Sequence, residues 1–351
     1  MRALRWHGPR DLRLEDVPEP EPPGPGEALI EVAYCGVCGT DVHEYASGPH
    51  MIRPGPHPLT GHRPPLALGH EMSGTVLALG GPAPGVEVGD RVAVDPCWRC
   101  GECRWCRRGE YHICPKGGSV GLASPGGFAE RVTVPAAGLV RLPDGVPDDL
   151  AALAEPLAVG LHAVRRGGVG PGDHVLVLGA GPIGVAVVLA AKTAGAAGVY
   201  VSEPEPARRE RIAGLVTEAY DPDASDVRRE VYLRTGKVGP DVVVEATGLP
   251  GLAAAAVSSA RRGGRIVLAG IGDRPAQLDL TALTFYERTL AGSLGYNFDV
   301  GRVVDLMSGG VLDPALMITG RFPLSEGPGL FADLAAGRGG HLKALLSPKA
   351  P

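Results

Sequence analysis

Residues 174–195 read HVLVLGAGPIGVAVVLAAKTAG, and the fold turns on how that stretch is parsed. HVLVL has the apolar run of a strand buried on both faces, and PIGVAVVLAAKTAG has the length and composition of a helix. Between them Gly179, Gly181 and Gly184 spell G-x-G-x-x-G. In a chain with 53 glycines a Gly-rich turn alone says little; here it joins a strand to a helix. Gly179 permits the tight turn, Gly181 lets a pyrophosphate approach the backbone, and Gly184 lets helix and strand pack closely. With Pro182 and Ile183 these glycines open a helix whose free N–H groups and dipole face the phosphates. Glu203 ends the next apolar strand, GVYVSE, 19 residues past Gly184, where a carboxylate can bind adenosine ribose hydroxyls. That carboxylate repels a 2′-phosphate, so NAD is expected over NADP. Arg208, in the PEPARRERI that follows, is a candidate for the adenine side; Arg209 and Arg211 read as a solvated helix face.

Downstream, DVVVEATG (241–248) and RIVLAGIG (265–272) are further apolar strands, and upstream DLAALAEPLAVGLHAVRR (149–166) has helical apolar spacing. Apolar strands alternating with helices predict an α/β domain with a Rossmann-type parallel sheet. Residues 1–150 differ. EALIEVAY (27–34), EMSGTVLALG (71–80), DRVAVDP (90–96) and AERVTVP (129–135) are strands broken by Gly and Pro, which predicts a largely antiparallel β, barrel-like domain. SGPHMIRPGPHPLTGHRPP (47–65) carries neither period and is expected to be a long functional loop.

Composition mainly excludes. At 351 residues two domains are expected. A net charge of −5 gives no electrostatic reason for nucleic acid or an anionic membrane as partner, and no run of eighteen apolar residues predicts a membrane span. The charged opening MRALRWHGPRDLRLEDV has no apolar signal core, so a cytoplasmic location is expected.

Five of the seven cysteines crowd into CWRCGECRWCRRGEYHIC, residues 97–114. Clustered thiols in a chain this large, without a secretion signal, point to metal rather than disulfides. Cys100, Cys103, Cys106 and Cys114 give C-x2-C-x2-C-x7-C, a donor set for one closed tetrahedral structural zinc. Cys97, Cys100, Cys103 and Cys106 form a competing register that is harder to wrap around one ion; an iron–sulfur cluster is the weaker alternative. Arg99, Arg104, Arg107 and Arg108 can offset the two negative charges left by four thiolates and Zn²⁺. Elsewhere Cys38, Thr40 and His43 stand within six residues, with His70-Glu71 and Glu155 further on. Spacing alone does not choose among the five histidines at 43, 50, 57, 62 and 70.

CGVCGTDVHEY, PHPLTG, LGHEMSGTV, GDRVAVDP, the cysteine cluster, GGFAE, EPLAVGLHAVRR, GAGPIG and GSLGY together resemble the zinc-containing medium-chain dehydrogenase/reductase superfamily. The chain is most similar there to (R,R)-2,3-butanediol dehydrogenases, with sorbitol and threonine dehydrogenases as neighbours. The resemblance implies a GroES-like catalytic domain over residues 1–153 and 293–351 around a Rossmann domain at 154–292. It implies two zinc ions and NAD per chain, a small alcohol or ketone as substrate, and a homodimer or homotetramer. Cys38 and His70 match catalytic zinc ligands, Glu71 and Glu155 two carboxylates at or near that metal, Thr40 the hydroxyl that takes the substrate proton, and His43 the imidazole that passes it to solvent. Zn²⁺ with one thiolate, a neutral imidazole and one carboxylate is neutral, the better Lewis acid for an alkoxide, so one glutamate is expected to ligate at a time. EATG (245–248) departs from the family's ECAG. A non-catalytic zinc- and nucleotide-binding protein is the alternative of another class, disfavoured by the presence of Cys38, Thr40 and His43.

Overall fold

The computed structural model describes residues 1–272 and 274–349. By backbone contacts the chain forms two compact units: Met1–Glu155 with Val300–Ser308 and Met317–Pro351, and Pro156–Asp299 with Gly309–Leu316. No helix among the described residues is long and apolar enough to cross a membrane.

The second unit holds a six-stranded, all-parallel sheet. Numbered in chain order, its strands lie 3-2-1-4-5-6, with His174–Leu178 first and Thr289–Gly292 at an edge. This is the doubly wound dinucleotide-binding order, with the switch beside the first strand. Val175–Leu178, Val199–Val201 and Val242–Val244 are fully enclosed, which is why they read as continuous apolar runs rather than alternating ones. The chain stays with this unit seven residues beyond the expected boundary at 292, because Asp299 is buried and held there by His162 and Arg165 of the helix Ala154–Arg166. Gly309–Leu316 belongs to it as well.

The first unit is built on a seven-stranded sheet in which Glu27–Gly36 is central. It pairs antiparallel with Glu71–Leu79, Arg131–Pro135 and the C-terminal strand Lys343–Ser347. Two registers matter for the site: Gly36 lies opposite Glu71 on one side and opposite Leu345 on the other. A separate three-stranded sheet covers one core of Leu4, Ile30, Met72, Phe128 and Phe331. The segment 48–65 contains no helix or strand. Its start is tied down by buried Glu44, which accepts backbone N–H bonds from His50 and Ile52 at 3.0 and 3.2 Å.

Candidate active site and metal centres

Cys38 caps the N-terminus of the helix Gly39–Ser47. Asp41, in the first turn and fully buried, accepts the Cys38 N–H at 3.0 Å. Thr40 and His43 lie three residues apart on this helix, hence on one face, with Thr40 half-buried and His43 exposed. His70 and Glu71 enter from the start of the strand Glu71–Leu79, both buried. Donor atoms of Cys38, His70 and Glu71 all lie within 4.8 Å of one another. A tetrahedral zinc with bonds of about 2.0–2.3 Å holds its ligands roughly 3.3–3.8 Å apart, so the three fit one ion after small adjustments.

The His70 ring supports that fit. Its Nδ1 is buried without a hydrogen-bond partner, 3.5 Å from Asp41 Oδ1. Burial alone would lower the His70 pKa, but the charges of Asp41 and Cys38 outweigh it and hold it well above the usual value. A buried imidazole between two anions is a ready place for a cation. Of the other histidines, His57 is buried beside Leu59 and Gly118, and His50 bonds Ser47; His70 is the one grouped with Cys38.

Glu155 is not in that three-residue group. It sits half-buried in the first turn of Ala154–Arg166, its charge reaching Lys343. Lys343, which the sequence reading passed over, is fully buried and donates to both Glu71 oxygens at 2.7 Å and to the Val37 carbonyl at 3.0 Å. Asp41 was missed too; its signal was an acidic residue three positions after a cap in CGTD.

The second cluster brings together Cys100, Cys103, Cys106 and Cys114. Three of their sulfur separations are 3.9, 3.9 and 3.6 Å, against about 3.8 Å for a tetrahedron with Zn–S bonds of about 2.3 Å. Cys97 lies outside this group, in the short strand Cys97–Trp98, with its N–H on Asp95. Slight burial opposes ionisation of Cys100, but N–H donors from Cys103 and Glu102 bring its thiol down to about 6; burial and the neighbouring sulfurs push Cys106 up to about 12. A metal binds these sulfurs as thiolates, so loading the cluster releases their protons.

The glycine turn is formed as its spacing requires. Gly179 has φ +99°, and a side chain on Gly184 would collide with the Gly179 carbonyl. Gly181 caps the helix Pro182–Thr193. Glu203 is buried at the end of the neighbouring strand, accepting the Ala180 N–H at 2.6 Å and the Glu205 N–H at 3.0 Å. A carboxylate offers about four acceptor positions, so two remain for a ribose diol. Arg208 is exposed, 4.0 Å from Glu203. Arg209, expected on a solvated face, is instead a strut: it donates to the Glu203 and Pro204 carbonyls and pairs with Asp221. In the departing EATG turn, Thr247 bonds Glu245 through both its backbone and its hydroxyl.

Residues 24–144 match the alcohol dehydrogenase GroES-like domain, and residues 182–309 the zinc-binding dehydrogenase family. (R,R)-butanediol dehydrogenase of Bacillus subtilis is 37% identical over 93% of both chains; the crystal structure of 2R,3R-butanediol dehydrogenase from that organism covers 99% of both with a TM-score of 0.91 at 36% identity. The chain belongs to the zinc-containing medium-chain dehydrogenase/reductase family. Human sorbitol dehydrogenase is 35% identical over 98% of this chain and 95% of its own length. A zinc-binding dehydrogenase structure from Sinorhizobium meliloti, bound to NADP, is 31% identical, covers 99% of both chains and has a TM-score of 0.89. As a family member the protein is an oxidoreductase that uses zinc and a nicotinamide cofactor on a small alcohol.

Proposed function

We propose that the protein is a cytoplasmic, NAD-dependent zinc dehydrogenase that oxidises (R,R)-2,3-butanediol to acetoin as a homodimer or homotetramer. The observation that carries the reading is the convergence of Cys38, His70 and Glu71 beside the helix bearing Thr40 and His43. A non-catalytic protein would have no need of a relay placed there.

In this reading Cys38, His70 and one glutamate at a time hold the catalytic zinc, and Cys100, Cys103, Cys106 and Cys114 the structural one. When bound, zinc supplies Lewis acidity at the alcohol oxygen and NAD the hydride acceptor. Thr40 takes the alcohol proton and passes it to His43, whose exposed ring hands it to solvent. The backbone at Gly181, Pro182 and Ile183 receives the pyrophosphate. Glu203 takes the adenosine ribose hydroxyls and opposes a 2′-phosphate, with Arg208 on the adenine side. The edge strand Thr289–Gly292, exposed at both its ends and flanked by exposed Phe285 and Leu294, is a surface for a second copy.

Following NADH absorbance with (R,R)-butanediol, meso-butanediol, sorbitol and L-threonine tests the substrate. Fast butanediol turnover is expected, and Cys38→Ser should abolish it. Rapid oxidation of sorbitol or L-threonine without butanediol turnover would select the alternative, a polyol or L-threonine dehydrogenase, the polyol arm of which the similarity to human sorbitol dehydrogenase favours.

A further inference from the structure

The buried ion pair between Glu71 and Lys343 is absent from the roles assigned so far. Lys343 is 2% exposed and Glu71 1%, and burying two charges is worthwhile only when their geometry is good. Here it is: the ammonium has three donors, two go to the two Glu71 oxygens and one to the Val37 carbonyl. Three elements fix the arrangement. The C-terminal strand sets Leu345 opposite Gly36, and Gly36 stands opposite Glu71 across the next pairing. Gly36 has no side chain because a Cβ there would occupy the space of the Glu71 carboxylate.

A carboxylate whose two oxygens are both shared with an ammonium has no oxygen free of a charge-assisted hydrogen bond, so each new bond to a metal competes with one of them. Glu71 nevertheless stays within ligand range of Cys38 and His70. We propose that Lys343 is the positioning residue that keeps Glu71 a weak, exchangeable carboxylate at the catalytic zinc site, leaving a coordination position open to Glu155, water or substrate. The ammonium also places one positive charge beside Glu71 and within electrostatic reach of Cys38 and Glu155.

The inference rests on the zinc reading above, and metal analysis separates the two. If Cys38→Ser still binds two zinc ions per chain, the zinc reading itself fails, whatever Lys343 does. The test of Lys343 uses the full chain loaded with zinc or with Co²⁺, reading zinc release to a chelator and the cobalt visible spectrum. Lys343→Met should free Glu71 to ligate: zinc release slows at least tenfold and the cobalt bands weaken towards a higher coordination number. Lys343→Arg should keep the original spectrum, and Lys343→Met/Glu71→Gln should restore it. Unchanged or faster zinc release in a folded Lys343→Met, or the same spectral change in the double variant, would overturn the proposal. Glu71→Gln alone tests it even where Lys343→Met does not fold. A weak donor predicts zinc release within threefold of the original, and a tenfold acceleration would mean that Glu71 is a principal ligand.

Discussion

Removing one structural thiol should open the cysteine lobe without unfolding the protein. Among residues 97–119 the side chains of Tyr111 and Cys114 alone are buried. Regular structure there amounts to the two-residue pairing of Cys97–Trp98 with Gly118–Ser119, one four-residue helix and one 3-10 turn. So little buried apolar area cannot offset the entropy of ordering the segment, and a metal must take the place of a core. Cys100 to Cys114 closes a 15-residue loop, and a crosslink over that length is worth about 3 kcal/mol in chain entropy. Cys103→Ser should therefore shift the local opening equilibrium by about 3 kcal/mol, roughly a hundredfold. Limited trypsin digestion reads this directly, because Arg104, Arg107 and Arg108 are exposed side chains within the loop. When opening is fast relative to cleavage, the cutting rate follows the open population. Zinc content should fall by one per chain, and cleavage after these arginines should rise about a hundredfold. Cleavage elsewhere should change little, and Cys38→Ser should leave the lobe's rate unaltered. A rate within threefold of the original, with the zinc demonstrably lost, would show that packing rather than metal holds the lobe.

Three further outcomes follow from the same structure. His43→Ala should lower kcat by roughly 10²-fold at the acid end of the profile and less at high pH, where hydroxide can take the proton; an unchanged pH–rate profile counts against the relay. Glu203→Gln removes the charge opposed to a 2′-phosphate and should raise the NADP-to-NAD ratio of kcat/KM about tenfold, or about 1.4 kcal/mol, and no change would place cofactor choice elsewhere. Burial raises the Asp95 carboxyl above its ordinary 3.8, against the pull of the Tyr111 hydroxyl and the Cys97 N–H. The folded state then binds that proton more tightly than the unfolded one, so stability falls as pH rises from about 3.8 through the folded pKa. Asp95→Asn should flatten that part of the Tm–pH curve, and parallel curves for the two proteins would refute the assignment.

What could be read from the sequence was chemistry whose partners are close in the chain. Gly179, Gly181 and Gly184 span six residues and Glu203 ends the next strand, so a strand–turn–helix supplies the whole arrangement. The four thiols that converge in the lobe span fifteen, and their spacing carries their geometry. The site around Cys38 is different in kind. Cys38 and His70 are separated by the 47–65 loop, and what joins them is the pairing of Glu27–Gly36 with Glu71–Leu79. No local period encodes that register, so only the resemblance to known dehydrogenases could point to the grouping. Lys343 lies 272 residues from Glu71, on a strand that reads as part of a polar, Gly-rich tail. A lysine in such a strand is normally solvated, and it becomes a buried partner here only because Gly36 and the central strand bring Glu71 beneath it. Arg209 shows the same limit in the opposite direction: helical periodicity placed it towards solvent, yet the carbonyls of Glu203 and Pro204 capture its guanidinium. Local pattern thus identifies which groups can do chemistry, while the long-range strand pairings decide which of them meet, and the Glu71–Lys343 pair belongs wholly to the second kind.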